Sequence, residues 1–332
     1  MDREPEEMQF LGVVGVYKEA YKIINSWKKI FNLLTLSLIL PLSFVFLFHI
    51  EVSHLLIGKI ESNAEEMSQT QEGTPRYQKL SDLLPAEWAY YFLFQIAYLI
   101  FFITLSLLST SAVVYTIASI YTARDVTFKN VMSVVPKVWH RLFMTFLCTF
   151  VAFLAINLMA VAVILIWVVI IGITNASLAI LGVLSILYIV GILYLSIVWQ
   201  LSNVVSVLEE SYGFLAMIKS RELIKGKMWL ASFILLTLNL SFFLVKFSFE
   251  KLVVNGWKLG AVDRTIYGII CFLLISNLFL FSLVLQTLLY FVCKSYHHEN
   301  IDKSVLSDRL DVYLGEYEPL KTKDVQLEQC HV

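Results

Sequence analysis

Charge is scarce in this 332-residue sequence: Asp, Glu, Lys and Arg make up 15% of it, against about 25% in ordinary soluble domains. The formal net charge of −1 provides no basic footprint for nucleic acid, and the cations are spread among loops rather than gathered in a block. Nucleic acid is therefore not an expected partner. Cysteine is also rare. Cys148, Cys271, Cys293 and Cys330 show neither CxxC nor CxH spacing, and two of them sit inside apolar runs. That pattern argues against a disulfide framework and a zinc site. The N-terminal MDREPEEMQF is acidic and lacks the basic region, short apolar core and small-residue cleavage site of a signal peptide. The first apolar run is expected to act as its own uncleaved targeting signal.

Catalytic signatures are missing as well. There is no Walker A loop, dinucleotide fingerprint or GxSxG elbow, and HHEN at 297–300 is not HExxH. The long apolar runs contain no Asp or Glu, and Lys246, near one run's end, can snorkel outward. Proton-coupled transport and metal-dependent catalysis both need ionisable groups within such runs. His49, His54, His140, His297 and His298 are scattered and read as interface residues. No cofactor and no metal are expected. What the runs do hold is amides, at Gln95, Asn157, Gln200, Asn203, Asn239, Asn277 and Gln286, with hydroxyls at Ser109, Thr110 and Ser111. Hydrogen bonds between helices are their expected use. Lining a pathway for a small polar solute is the alternative.

What is abundant is apolar surface: 58% of residues are hydrophobic, 14% are aromatic, and the mean hydropathy is +0.75. A hydrocarbon core of about 30 Å is crossed by about 20 apolar residues. Six runs reach that length, at 30–50, 89–121, 142–172, 178–207, 229–249 and 265–293. The expected fold is an all-α integral membrane protein with six transmembrane helices and three cytosolic interfacial amphipathic helices. Lys and Arg divide unevenly between the connecting segments: eighteen fall in the N-terminal segment, the loops after the second and fourth runs and the tail, and seven on the other side. The positive-inside rule then places both termini in the cytosol, without distinguishing the plasma membrane from the endomembrane system. The chain divides into a cytosolic N-terminus with an interfacial helix (1–29), a six-span domain (30–293) and a cytosolic tail (294–332). Residues 51–88 form a lumenal or extracellular loop, and their composition predicts a partly disordered, hydrated segment. The sequon at Asn175-Ala-Ser177 lies in a very short turn, and no glycan is expected there.

One arrangement occurs three times: a basic, roughly amphipathic segment running straight into a span. In the first, Val13, Tyr17, Ala20, Ile24, Trp27 and Phe31 form a stripe flanked by basic residues that include Lys28 and Lys29. In the second, Phe128, Val131, Met132, Val135, Trp139 and Leu142 follow the N-cap candidate Thr127, with Lys129, Lys137 and Arg141 beside them and a kink expected at Pro136. The third, EESYGFLAMIKSRELIKGKMW, places Arg221 in the centre of its stripe, where snorkelling or pairing with Glu209 or Glu210 is expected. Such helices suit the headgroup layer of a membrane. Lipid or partner binding is therefore expected of Glu209, Glu210, Ser220, Arg221, Lys225, Gly226, Lys227, Lys129, Lys137, Arg141, Lys28 and Lys29, unless the segments only fix where each span enters. Cys293 is a candidate for palmitoylation, and Tyr317 and Leu320 fit a loose tyrosine-based sorting signal.

The segments VLEESYGFLAMIKSRELIKGKMW (207–229) and YLGEYEPLKTKDVQLEQ (313–329) make the chain resemble, over nearly its whole length, an uncharacterised family of plant multi-pass membrane proteins. The acidic pair followed by Ser220, Leu223 and Gly226 is similar to the membrane domains of some bacterial glycerophosphodiester phosphodiesterases and to small bacterial inner-membrane proteins. This resemblance implies a shared six-helix module and a lipid-related or membrane-organising role. Glu209, Ser220, Arg221 and Gly226 are the matched positions, and no catalytic residue carries over. The expected function is non-enzymatic: organising membrane lipids, or membrane and cytosolic proteins, at the cytosolic face. The alternative is a passive transporter or channel for a small solute, and an intramembrane lipid-modifying enzyme is a third option.

Overall fold

Within a long apolar run the backbone amides find few partners but one another, and helix is the conformation in which one segment satisfies them all. Each of the six runs is helical. The computed structural model describes residues 8–123, 126–171, 175–256 and 260–297, and among these there are eight helices and no strand. They are α1 (Val13–Ser26), α2 (Lys28–Gln69, with a π-helical stretch at Thr35–Ile39), α3 (Pro75–Tyr121), α4 (Phe128–Ile171), α5 (Asn175–Leu208), α6 (Phe214–Ile224), α7 (Met228–Val254, ending in a π-helical stretch from Glu250) and α8 (Ala261–Tyr296). All but α1 and α6 are long and apolar enough to cross a membrane.

Burial is uneven along the bundle. At one end, here the basal end, Leu107–Tyr121 of α3 is almost continuously buried, as are Leu283–Cys293 of α8 and Ile197–Leu208 of α5. The α1 and α6 helices pack there too, through Val16, Ala20 and Ile23 and through Ala216, Leu223 and Ile224. α8 is the central element, packed against α1, α2, α3, α5, α6 and α7. Of its most apolar 18-residue stretch 44% is buried in protein, whereas none of the corresponding stretch of α4 is. Toward the distal end Phe92, Phe101, Leu158, Val169 and Ile186 are all more than half exposed. Monomeric soluble proteins rarely expose apolar patches beyond a few hundred Å², so this surface is consistent with a multi-pass membrane protein.

Three expectations change. Residues 51–88 are not a partly disordered loop: α2 continues to Gln69, α3 begins at Pro75, and only 70–74 turn. Helix formers fill both arms, and Thr74 caps α3 by accepting from the Tyr77 N–H at 3.3 Å, with Pro75 in the first helical position. Between the arms, buried Glu87 accepts from Asn63 Nδ2 at 2.9 and 2.8 Å and lies 3.1 Å from Lys59 Nζ. Arg76 pairs with Glu66 nearer the tip. The amphipathic stripes are a second change. In the first two they largely face protein rather than an open interface: Ala20 and Phe31, and Val131, Val135 and Leu142, are core residues, whereas in the third Met217 and Ile224 are buried but Phe214 and Ile218 are exposed. The second segment is simply the start of α4, which continues helical through Pro136. A stripe of period 3.6 records that a face is covered, and a protein core covers it as well as lipid does.

The third change concerns the polar residues of the spans. Asn157, Asn239 and Asn277 each donate to the carbonyl four residues back in their own helix, and Gln286 reaches Ser282 in its own helix. Bonds across helices are fewer: Tyr188 donates to Asn157 at 2.7 Å, and Gln95 bridges Ser53 and His49. His49 is also stacked on Tyr98, with ring centroids 3.7 Å apart, and so belongs to the α2–α3 contact. Lys246 lies 3.5 Å from Glu250 one turn on. In amide hydrogen exchange, residues 55–68 and 78–88 should be protected relative to 70–74. Glu87→Ala, which strands Asn63, should lower that protection by about 1–3 kcal/mol.

Candidate functional site

The chain leaves α5 at Leu208 and turns through Glu209–Gly213 into α6, a short element that could not hold its place alone. From α4, Arg141 donates from Nη2 to the Glu209 carbonyl oxygen at 2.8 Å, and its guanidinium lies over the Tyr212 ring, 5.5 Å from the centroid. One turn further along α4, the Thr145 hydroxyl accepts the Gly213 N–H at 2.7 Å and meets Ser206 Oγ at 2.7 Å. Gly213 has φ +64° and ψ −132°, a conformation essentially reserved for glycine.

The Glu209 side chain points toward α8. Its Oε1 accepts from Tyr290 Oη at 2.7 Å and from Lys294 Nζ at 2.9 Å, and Lys294 also donates to Tyr290 Oη at 3.1 Å. The Glu209 and Lys294 side chains are only 12% and 18% exposed, so this is an interior ion pair. Burial pushes the Glu209 carboxyl up. The charge and hydrogen bond of Lys294, the Tyr290 hydrogen bond and the charge of Lys219 outweigh burial and hold the group below its ordinary value of 4.5.

The last turn of α8 then closes on the other end of α6. Gly226, in the α6–α7 turn, has φ +87°, and a Cβ there would fall within 2.8 Å of Tyr296 Cζ and Oη. Lys227 donates from Nζ to the Gln9 carbonyl at 2.8 Å and stands 4.9 Å from the centroid of the Tyr296 ring. His297 Nε2 is 2.9 Å from the Lys225 carbonyl and 3.1 Å from that of Leu223. Both neighbours only accept, so Nε2 carries the proton. Two turns of one helix thus fasten both ends of α6.

A separate surface cleft of about 500 Å³ opens where α1 gives way to α2. Asn25, Ser26, Trp27, Lys28 and Lys29 line it, with Phe128 of α4 opposite. The helix breaks at Trp27 and restarts at Lys28 with no side-chain cap on its first turn. Two lysines therefore stand at a helix N-terminus, where the backbone already favours anions.

The structure sorts the expected site residues. Glu209, Arg141, Gly226 and Lys227 join the fastening of α6, and Lys28 and Lys29 line the cleft. Ser220 is completely buried and donates to the Ala216 carbonyl at 2.7 Å, which makes it packing rather than surface. Arg221 is exposed; Glu209 takes Lys294 and Tyr290 in its place, and no ion pair to Arg221 occurs among the described residues. Glu210, Lys129, Lys137 and Lys225 are exposed at the basal end. Cys293 has no exposed surface, so the thiol is out of reach of an acyltransferase while α8 is packed. Tyr317 and Leu320 lie outside the described residues. Tyr290, Lys294, Thr145, Ser206 and His297 were not among the expected residues. A Tyr and a Lys four apart share one helix face, but that spacing does not say which distant residue they meet.

A family model described as a domain of unknown function, DUF8558, matches residues 1–330 of the chain. No curated protein and no solved structure matches it. The likeness to plant membrane proteins and to the membrane domain of glycerophosphodiester phosphodiesterases gains no support from these comparisons.

A carboxyl group whose value is lowered on folding stabilises the fold above its unfolded value, and that contribution is lost as pH falls through the folded value. Thermal unfolding of the detergent-solubilised protein should therefore show Glu209→Gln, which leaves Lys294 without its counter-charge, less stable by about 3–5 kcal/mol at pH 7. The gap from wild type should narrow below pH 4.5. Gly226→Ala should cost at least about 1–2 kcal/mol for the left-handed backbone alone, read in the same unfolding assay.

Proposed function

The chain belongs to the DUF8558 family, and from its own geometry we propose that it is a non-enzymatic multi-pass membrane protein that gathers anionic lipid headgroups, and proteins with them, at its basal face. The six long apolar helices cross the bilayer. The basal face, with both chain ends, lies in the cytosol, and the excess of Lys and Arg in the segments that meet there supports this orientation.

The observation that carries the reading is the cleft at Trp27–Lys29. It combines two ammonium groups, an uncapped helix start and an indole ring immediately before the first long apolar run. The basal end also exposes cations, Lys18, Lys129, Arg221 and Lys225, and aromatic rings, Phe10, Tyr21, Phe214 and Trp229. Rings of this kind prefer the membrane–water boundary. The buried faces of α1 and α6 are spent on the protein core, so headgroup contact comes from these outward residues. A conduit for a small solute has less support, because most of the amides that would line it bond within their own helices.

Native mass spectrometry of the purified protein with phosphatidylserine and phosphatidylcholine tests this. Wild type should retain the anionic lipid in preference. Lys28→Gln/Lys29→Gln removes about 1 kcal/mol per lysine and should weaken that retention about thirtyfold. Equal retention of the two lipids by folded wild-type protein would remove the proposal.

A further inference from the structure

A second cleft, of about 530 Å³, opens on the flank of the bundle between α2, α7 and α8. Its volume lies within the range of small-ligand pockets, roughly 300–1,000 Å³. The walls are apolar and largely aromatic, with Phe44, Leu47, Phe48, Phe249 and Phe272. Phe44 and Phe48, stacked one turn apart at 5.6 Å, are half exposed or more. One end is polar and holds Glu51 and Arg264.

That pair is incomplete. Arg264 Nη2 stands 3.8 Å from Glu51 Oε1, beyond hydrogen-bond reach, and Oε2 is buried with no partner. Arg264 is fixed by donating from Nε to the Val253 carbonyl at 2.9 Å, in the π-helical stretch that closes α7. One carboxylate therefore lacks a donor, and the guanidinium lines the cleft beside it. A carboxylate in such a place is costly until a donor reaches it. Both residues sit at the border of an apolar run: Glu51 directly follows 30–50, and Arg264 directly precedes 265–293. The polar end of the cleft is therefore level with a boundary between apolar and hydrated chain, and the aromatic walls extend from it along the apolar side.

We propose that this cleft binds a zwitterionic phospholipid with a primary ammonium, its ammonium on Glu51, its phosphate on Arg264 and an acyl chain along Phe44 and Phe48. The charges are complementary in sign and number. A primary ammonium supplies the hydrogen-bond donor that Glu51 lacks, whereas a quaternary choline has none to give. A serine headgroup would bring a second carboxylate against Glu51. The site rests on the membrane reading but not on the basal cleft, which lies at the other end of the bundle.

The test uses the full chain in detergent, with phosphatidylethanolamine and phosphatidylcholine competing in native mass spectrometry. Wild type should prefer phosphatidylethanolamine about tenfold, the worth of a charge-assisted hydrogen bond. Glu51→Gln, which keeps the side-chain shape, should abolish the preference while leaving retention of phosphatidylserine at Lys28 and Lys29 unchanged. At Gly268, on the cleft floor, a Cβ meets only Val253 Cγ2 at 4.0 Å, so Gly268→Leu should fill the cleft and lower retention of both zwitterionic lipids. Equal retention of the two lipids by wild type, or a preference that survives Glu51→Gln, overturns the assignment. Alkaline carbonate extraction of membranes checks the membrane reading separately: protein released by carbonate would sink that reading whatever the lipid result.

Discussion

The contact of Lys294 with Glu209 decides where the bundle ends. A carboxylate this deep is tolerated only with a partner, and its partners, Lys294 and Tyr290, both come from α8, the helix on which nearly everything else packs. Because they hold the Glu209 side chain while Arg141 holds its carbonyl, the exit from α5 has one geometry, and α6 must start where it does. Tyr296 and His297, on the next turn of α8, then hold the far end of α6 and the entry into α7. The polar segment between two long apolar helices is thus a clasp around the central helix, and most of its charges are outward-facing remainder.

This clasp explains the uneven burial. Protein–protein packing is concentrated at the basal end, where α1 and α6 wedge between the long helices, and it thins toward the distal halves of α3, α4 and α5. In water such distal halves would collapse on one another; in hydrocarbon they carry no penalty for exposure, because lipid tails are as apolar as leucine. The basal end therefore supplies the rigid frame, and under the membrane proposal the distal end supplies flanks that lipid can enter. The two lipid sites proposed lie on these two contrasting parts.

Much of this was legible in the sequence, and the rest was hidden for physical reasons. The number of long apolar helices followed from run length, since helix is what satisfies an apolar backbone within one segment. Span ends did not: the arms at 51–69 and 75–88 are polar, and polarity alone does not distinguish a solvated helical hairpin from a loop. The stripe at Val131, Val135 and Leu142 was read as a face for the headgroup layer, yet it packs into the core, because periodicity is blind to what covers a face. Gly226 was singled out, and its need for glycine is now seen in its backbone and in the Tyr296 ring beside it. Tyr290 and Lys294 went unnoticed because they contact Glu209 across 81 and 85 residues of chain, a separation that no local pattern encodes.

In the proposed topology the clasp faces the cytosol while the helical arms at 51–69 and 75–88 face the other way. Single cysteines placed by Gln71→Cys and by Lys225→Cys, in a chain whose native cysteines are replaced by serine, can be labelled in intact cells or sealed vesicles with a membrane-impermeant maleimide. Gln71→Cys should react from the non-cytosolic side, and Lys225→Cys should react there only after permeabilisation. Reaction of both positions from the same side, or the reverse order, would contradict the proposed topology.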